Sequence, residues 1–103
     1  MLRNFTPYEV IVVDGHIAIS YESEGIARVS AKSVQVGTVD DIPLIRQEFG
    51  EVEGLPAPKE GTYLIVSRMV ASALPERRDL VVPADLVRNG KGEVIGCKAF
   101  ESN

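Results

Sequence analysis

The sequence predicts a mainly β protein, α+β at the margin, whose strands form a curled sheet or a small open barrel. Three observations carry this prediction. Short runs rich in Val, Ile and Tyr recur along the chain. Turn-forming residues separate these runs at short intervals. A single stretch, near residues 68–74, has helical spacing of its apolar side chains. We therefore expect about seven or eight short strands and one short helix.

Length and composition indicate a single folded domain, residues 1–103, with one modest core. The hydrophobic fraction of 45% and the charged fraction of 25% are typical of globular proteins. The net charge of −4 and the lack of clustered Lys and Arg disfavour duplex nucleic acid as a partner. No apolar run approaches the length of a membrane span, and the N-terminus lacks a signal region. We expect a cytoplasmic protein with no membrane partner.

The first third of the chain predicts a β-hairpin. Asp14-Gly15 lies between two apolar runs and predicts a tight two-residue turn of type I′. In the second strand Ile17 and Ile19 alternate with smaller or polar residues, which indicates a buried face.

The middle of the chain predicts a weak strand over residues 26–31 and another that begins at residue 34. A tight turn at residues 39–42 then leads into a returning strand over 43–49. Because Pro43 cannot donate a hydrogen bond, we expect either that this strand starts at a sheet edge or that Pro43 lies at the strand end. The Gly- and Pro-rich residues 50–61 predict an ordered loop.

The last 40 residues predict a buried strand, a helix and a second hairpin. Residues 62–66 show no alternation of polar and apolar side chains, which favours a strand covered on both faces. Ser67 is suited to cap a helix, and Pro75 ends that helix after residue 74. Further on, a short strand over 80–82 is predicted to end at Pro83, and residues 89–92 predict a hairpin loop. Periodicity on these elements predicts a core of Val10, Val12, Ile17, Ile19, Val36, Leu44, Leu64, Val66, Val70, Leu74, Val81, Ile95 and Phe100.

No catalytic or metal-binding motif is present, and no cofactor is predicted. His16, the single histidine, follows the first hairpin turn and is predicted to be an exposed structural residue. Cys97, the single cysteine, lies in an apolar strand and is predicted to be an inert buried residue. A common metal site needs more imidazoles or thiolates than the chain offers.

The polar residues that could bind a ligand are few, and each has a simpler structural interpretation. Glu51 and Glu53 could bind a cation or perform acid–base chemistry, but their spacing is also typical of a solvated strand edge. Ser67 and Arg68 could form an anion site at a helix N-terminus, although an ordinary N-cap explains the serine. The weak binding candidates are Glu51, Glu53, Ser67, Arg68, Arg77 and Asp79, of which the last two lie in a turn where a surface ion pair is expected.

Several segments resemble a family of small proteins of bacteria and their phages or prophages. The resemblance lies in residues 36–43 (VGTVDDIP), 50–56 (GEVEGLP) and 60–67 (EGTYLIVS), and it extends over nearly the whole chain. Asp41 stands where the family pattern has Gly, and Tyr8 where it has His. The resemblance implies a bacterial or phage setting and no particular activity. Shorter matching segments are 4–7 (NFTP), 75–80 (PERRDL), 87–89 (VRN) and 95–97 (IGC).

These observations predict a non-catalytic protein-binding or accessory protein of a bacterial or phage cytoplasm, with another protein as its partner. The polar, proline-stiffened segments 50–61 and 75–79 are the predicted recognition loops. The alternative is a small-molecule or anion binder, or a minor hydrolase, with a pocket around the acidic loop and the strand–helix junction.

Overall fold

The computed structural model describes all residues, 1–103, and is mainly β, as predicted. It contains eight strands and one six-residue helix, which is too short to span a membrane. The strands are β1 (Leu2–Asn4), β2 (Val10–Asp14), β3 (Ile17–Tyr21), β4 (Arg28–Val39), β5 (Ile42–Glu53), β6 (Tyr63–Ile65), β7 (Leu80–Arg88) and β8 (Val94–Ser102), and the helix α1 (Arg68–Ala73) lies between β6 and β7.

Six strands form one mixed sheet in the order β1-β6-β7-β8-β2-β3, and β4 pairs only with β5 in a separate ribbon. The six-stranded sheet curls until its two ends meet at one point, where Asn4 forms a bridge with Ser23, just beyond β3. There the backbone N–H of Glu24 donates to the Asn4 carbonyl at 2.8 Å. We call this curled sheet the barrel and the gap between β1 and β3 its seam.

The side chain of Asn4 holds the seam together. It is fully buried, and its Nδ2 donates to the carbonyl oxygens of Tyr8 at 2.6 Å and Tyr21 at 2.8 Å. Its Oδ1 accepts from the backbone N–H of Thr6 at 2.9 Å and from the Thr6 hydroxyl at 2.7 Å. A buried amide with both ends satisfied fixes the chain on either side of it. The NFTP segment therefore has a structural role.

Two hydrophobic clusters lie on opposite faces of the barrel sheet. The inner cluster takes at least one residue from each of the six strands, so the sheet curls around it. Its members are Val10, Ile65, Val81 and Cys97, with Leu2, Val12, Tyr21 and Phe100 packed against them. The outer cluster lies under α1 and consists of Phe5, Ala27, Leu64, Val66, Val70, Ala71, Leu80 and Val82, with Val29, Val52, Leu55 and Leu74 partly buried against it.

The β6–α1–β7 unit agrees with the sequence prediction. β6 lies between β1 and β7 and runs parallel to both. Leu64 is buried in the outer cluster on one face of the sheet, and Ile65 is buried in the inner cluster on the other face. The hydroxyl of Ser67 accepts from the N–H of Val70 at 3.3 Å, so Ser67 caps the helix as expected.

The first hairpin forms, but its turn is shifted by one residue from the prediction. Asp14 pairs with Ile17, so the two-residue loop is Gly15 and His16. Gly15 has a φ of 60° while His16 stays at negative φ, a pattern typical of a type II′ turn. The predicted burial of Ile17 and Ile19 is wrong, because β3 is an edge strand of which only Tyr21 packs against a hydrophobic cluster.

The strands predicted at 26–31 and from residue 34 are one continuous strand, β4. Its partner β5 extends to Glu53, so the predicted loop 50–61 begins only at Gly54. The turn between them forms as predicted, with Asp40 at φ 50° and Asp41 at φ 64°. We call β4 and β5, residues 28–53, the arm. Only its base, through Val29 and Val52, packs against the outer cluster.

The strand predicted over 80–82 does not end at Pro83 but continues as β7 to Arg88. A proline is tolerated here because β6 pairs with β7 only as far as Val81, so the continuation has β8 as its one neighbour. The predicted hairpin loop at 89–92 is confirmed. Asn89 Oδ1 accepts there from the backbone N–H groups of Lys91 and Glu93.

The predicted core is partly wrong. More than a third of its members are exposed, because periodicity identifies strands and does not show whether anything covers them. The exposed members lie on the β3 edge, on the arm and at one open end of the barrel: Ile17, Ile19, Val36, Leu44 and Ile95. The buried members are Val10, Leu64, Val66, Val70 and Val81, and Val12, Leu74 and Phe100 are half-buried.

Candidate binding surfaces

Arg77 and Asp79 join two loops. The Arg77 Nη2 donates to Asp79 Oδ2 at 2.6 Å, and its Nε donates to Asp79 Oδ1 at 3.0 Å. Both Nη atoms of Arg77 also reach the carbonyl of Pro56 at 3.3 Å. The hydrogen bonds from Arg77 are the main reason that the pKa of Asp79 lies below its usual value. Each of the two side chains is only 16% exposed. Because Arg77 also donates to the Pro56 carbonyl, the pair joins this turn to the loop over residues 54–62.

The other four candidates lie on two separate surfaces. Glu51 and Glu53 are exposed on β5 near the base of the arm, and Glu53 lies opposite Arg28 on β4. Ser67 and Arg68 lie beside the open end of the barrel, where Arg68 forms an ion pair with Glu101 of β8. The acidic segment and the strand–helix junction therefore do not share the pocket that the sequence analysis offered as an alternative.

The single histidine and the single cysteine lie in different environments, one exposed and one buried. His16 is exposed in the first hairpin turn. Cys97 is buried in the inner cluster, and this burial raises the pKa of its thiol, which favours the neutral form. No group of three or more His, Cys, Asp or Glu side chains converges in the structure.

The arm presents large apolar side chains to solvent on both of its faces. Paired residues share a face and successive residues alternate, so the register places Val39, Ile42 and Leu44 on one face and Ile45 and Phe49 on the other. All five are at least 40% exposed. Exposed apolar side chains are therefore concentrated on both faces of the arm.

The arm also makes the molecule elongated. The radius of gyration is 16.3 Å, and the principal dimensions are 53, 38 and 19 Å. A compact chain of this length has a radius of gyration of about 13 Å. The arm is irregular, with register shifts between Val29 and Ala31 and between Gln35 and Gly37, and Pro43, the second residue of β5, has no N–H to donate. These features discourage the addition of another strand and favour contact through the faces.

A second surface is a cleft at the open end of the barrel, with a volume of about 770 Å³. The β1–β2 loop, the β6–α1 junction and strands β2, β7 and β8 surround it. We call this cleft the mouth. Its lining is mostly apolar and consists of Thr6, Pro7, Tyr8, Glu9, Val10, Ile11, Val66, Ser67, Arg68, Val82, Pro83, Leu86, Val94, Ile95, Gly96 and Cys97.

Sequence reasoning missed most residues of both surfaces. The signal for the arm was present in Ile42, Leu44, Ile45 and Phe49, because these residues make both faces of one strand apolar. Such a strand is normally covered on both sides, and the chain supplies no third strand to cover it. The mouth had no local signal, since it joins segments as distant as Tyr8 and Ile95.

Comparison of the chain with protein-family models, with curated proteins and with solved structures gives no match. The resemblance to small bacterial and phage proteins therefore remains a prediction from the sequence, and the geometry of the arm and the mouth carries the functional argument.

Proposed function

We propose that this chain is a non-catalytic protein-binding or accessory protein, and that the arm is the element it places against its partner protein. The observation that carries this proposal is an unsupported two-stranded ribbon with apolar side chains on both faces. An isolated β-hairpin is at best marginally stable in water, and three strands or a packing partner are normally required. A partner that covers one or both faces supplies that missing layer.

The side chains of the arm indicate what kind of partner surface would be complementary to it. Its faces offer aliphatic side chains and one aromatic ring, Phe49, which suit an apolar groove. Its tip carries the adjacent carboxylates of Asp40 and Asp41, which suit a basic rim at the end of that groove. The resemblance to bacterial and phage proteins supports a partner in a bacterial or phage cytoplasm.

The partner surface can be tested by affinity capture from a lysate of the bacterium that carries the gene. The bait variants are Ile42→Lys/Leu44→Lys for one face and Ile45→Lys/Phe49→Lys for the other, and Ile17→Lys on the β3 edge is the matched control. We expect a protein captured by the wild type and the control to be lost with at least one arm variant. Hydrogen exchange in the purified complex should then show protection within residues 28–53.

Two results would contradict the proposal. One is a captured protein that both arm variants retain as well as the wild type does. The other is a complex in which the arm amides exchange as fast as in the free protein. Light scattering after size-exclusion chromatography distinguishes a second copy of this chain as the partner, because the arm variants would then abolish a concentration-dependent dimer.

A further inference from the structure

The mouth is a preformed concavity that the arm does not occupy. Its volume of about 770 Å³ lies within the usual range for small-molecule sites, roughly 300 to 1,000 Å³. Open ends of β-barrels are among the places where such sites occur. The mouth is therefore a different surface from the arm, and no residue of the arm lines it.

The register directs apolar side chains into the mouth. Cys97 belongs to the inner cluster and pairs with Leu86 on β7 and with Val12 on β2, so Leu86 faces the same interior. Val10 lies on the floor beside Cys97. Ile95, at the register shift between β7 and β8, lines the rim. The floor is thus formed by aliphatic groups and a thiol.

Apart from the exposed Tyr8 hydroxyl, the polar side chains around the mouth are already engaged or negatively charged. Ser67 accepts from the helix backbone, and Arg68 is neutralised by its ion pair with Glu101. Glu9 adds a carboxylate at the rim and forms no salt bridge. No buried side-chain nitrogen or oxygen lacks a hydrogen-bond partner. The buried side chains of the floor therefore have no unmet hydrogen-bonding requirement, and an anionic ligand would meet the uncompensated negative charge of Glu9.

The rim is stabilised independently of any ligand. The carbonyl of Tyr8 accepts from the buried Asn4 amide, which ties the β1–β2 loop to the seam, and the phenol ring of Tyr8 remains 73% exposed. Gly96 lets β8 approach β2 closely, since a Cβ there would lie 3.0 Å from the Ile11 carbonyl oxygen. A site that is shaped before binding loses little conformational entropy when a ligand enters.

We propose that the mouth binds an uncharged, predominantly apolar small molecule, whose body lies on Val10, Leu86, Ile95 and Cys97 and whose outer end lies against Tyr8. This inference is independent of the protein-binding proposal, because it concerns a different surface. It predicts a chemical selectivity in which neutral apolar compounds bind more tightly than anionic compounds of the same size.

The first test is a fluorescence titration of the whole chain with Nile red, an uncharged apolar dye. We expect saturable binding with one site per chain, and at least tenfold weaker binding to Ile95→Asp or Leu86→Asp, because the short carboxylate introduces charge into the cleft. The matched controls are Ile17→Asp on the β3 edge and Ile45→Asp on the arm, which should bind as the wild type does. Far-UV circular dichroism checks that each variant remains folded.

A second measurement uses only wild-type protein and is therefore independent of any folding defect. Methyl resonances of Val10, Leu86, Val94 and Ile95 should shift on addition of Nile red, and those of Ile42, Leu44 and Ile45 should not. Equal shifts on the arm, unsaturable binding, or equal loss of binding in the control variants would overturn the proposal. Tighter binding of an anionic dye, 1-anilinonaphthalene-8-sulfonate, would overturn the assigned ligand class.

Discussion

The barrel and the arm are built from the same kinds of residue and differ in what lies against them. Ile65 in β6 is fully buried, whereas Ile45 in β5 is 57% exposed. Both are apolar residues in strands, and only Ile65 has a covered face. In this protein the turn and the pairing of a strand are determined locally. Whether its side chains are buried depends on whether distant segments of the chain pack against them.

The two regions also differ in how their ends are fixed. The barrel is joined by the buried Asn4 amide, which connects the β1–β2 loop to the end of β3. The arm is closed by a local turn at Asp40 and Asp41 and is anchored by its base alone. We therefore expect substitutions in the barrel to change global stability and substitutions along the arm to change binding.

The largest effect is expected for Asn4→Ala. The change removes the hydrogen-bond partner of the Tyr21 carbonyl and of the Thr6 backbone N–H, and each such loss costs about 1 to 3 kcal/mol. The Tyr8 carbonyl keeps the Thr6 hydroxyl as a donor at 3.0 Å. We expect the free energy of unfolding to fall by about 4 kcal/mol, measured by urea denaturation. Asn103→Ala, at the half-buried C-terminus, is the control and should cost about 1 kcal/mol. A similar small effect for both variants would show that the seam does not require Asn4.

A direct comparison of the two regions uses the same substitution in each. Ile65→Ala creates a cavity in the inner cluster and should lower the free energy of unfolding by about 3 kcal/mol. Ile45→Ala removes an exposed side chain and should change the free energy of unfolding by no more than about 0.5 kcal/mol. Equal costs in denaturant titrations would mean that the arm folds against the barrel in solution.

The sequence correctly indicates the elements that have local signals and does not indicate which strands are buried. The lack of alternation at residues 62–66 and the cap at Ser67 correctly predicted β6 and α1, because these signals are local. The turn at residues 39–42 was also predictable. The burial assigned to Ile17 and Leu44 was wrong, because alternation describes a strand with two different faces and carries no information about a covering layer.

The candidate site was less predictable than the fold. Polar residues were selected by type, and the structure uses Arg77 and Asp79 to fasten a turn and Ser67 to cap a helix. The mouth requires β2 to pair with β8, although Val12 and its partner Cys97 are about 85 positions apart in the chain. Such a contact has no local signal in a single sequence.

A smaller effect within the barrel concerns pH. The hydrogen bonds from Arg77 lower the pKa of Asp79 in the folded state, so the unfolded chain binds more protons at acidic pH. The stabilisation is present above the unfolded pKa of about 4 and is lost as the pH falls through the folded pKa. We expect Asp79→Asn to cost about 1 kcal/mol at pH 7, and this difference from the wild type should shrink below about pH 4. Urea titrations across pH would contradict the assignment if the difference were constant.

The smallest effect is expected at the tip of the arm. Asp41 has a φ of 64°, a conformation that Gly adopts with less strain than other residues, so Asp41→Gly should stabilise the turn by about 0.5 to 1 kcal/mol. Because the tip is remote from both hydrophobic clusters, this gain should appear in hydrogen-exchange protection of residues 34–47 and not in the global urea midpoint.

Gly15→Val is the barrel counterpart. A β-branched residue at the Gly15 φ of 60° should lower the global midpoint, because that hairpin belongs to the six-stranded sheet. A global shift for Asp41→Gly as large as that for Gly15→Val would show that the arm and the barrel unfold as one unit.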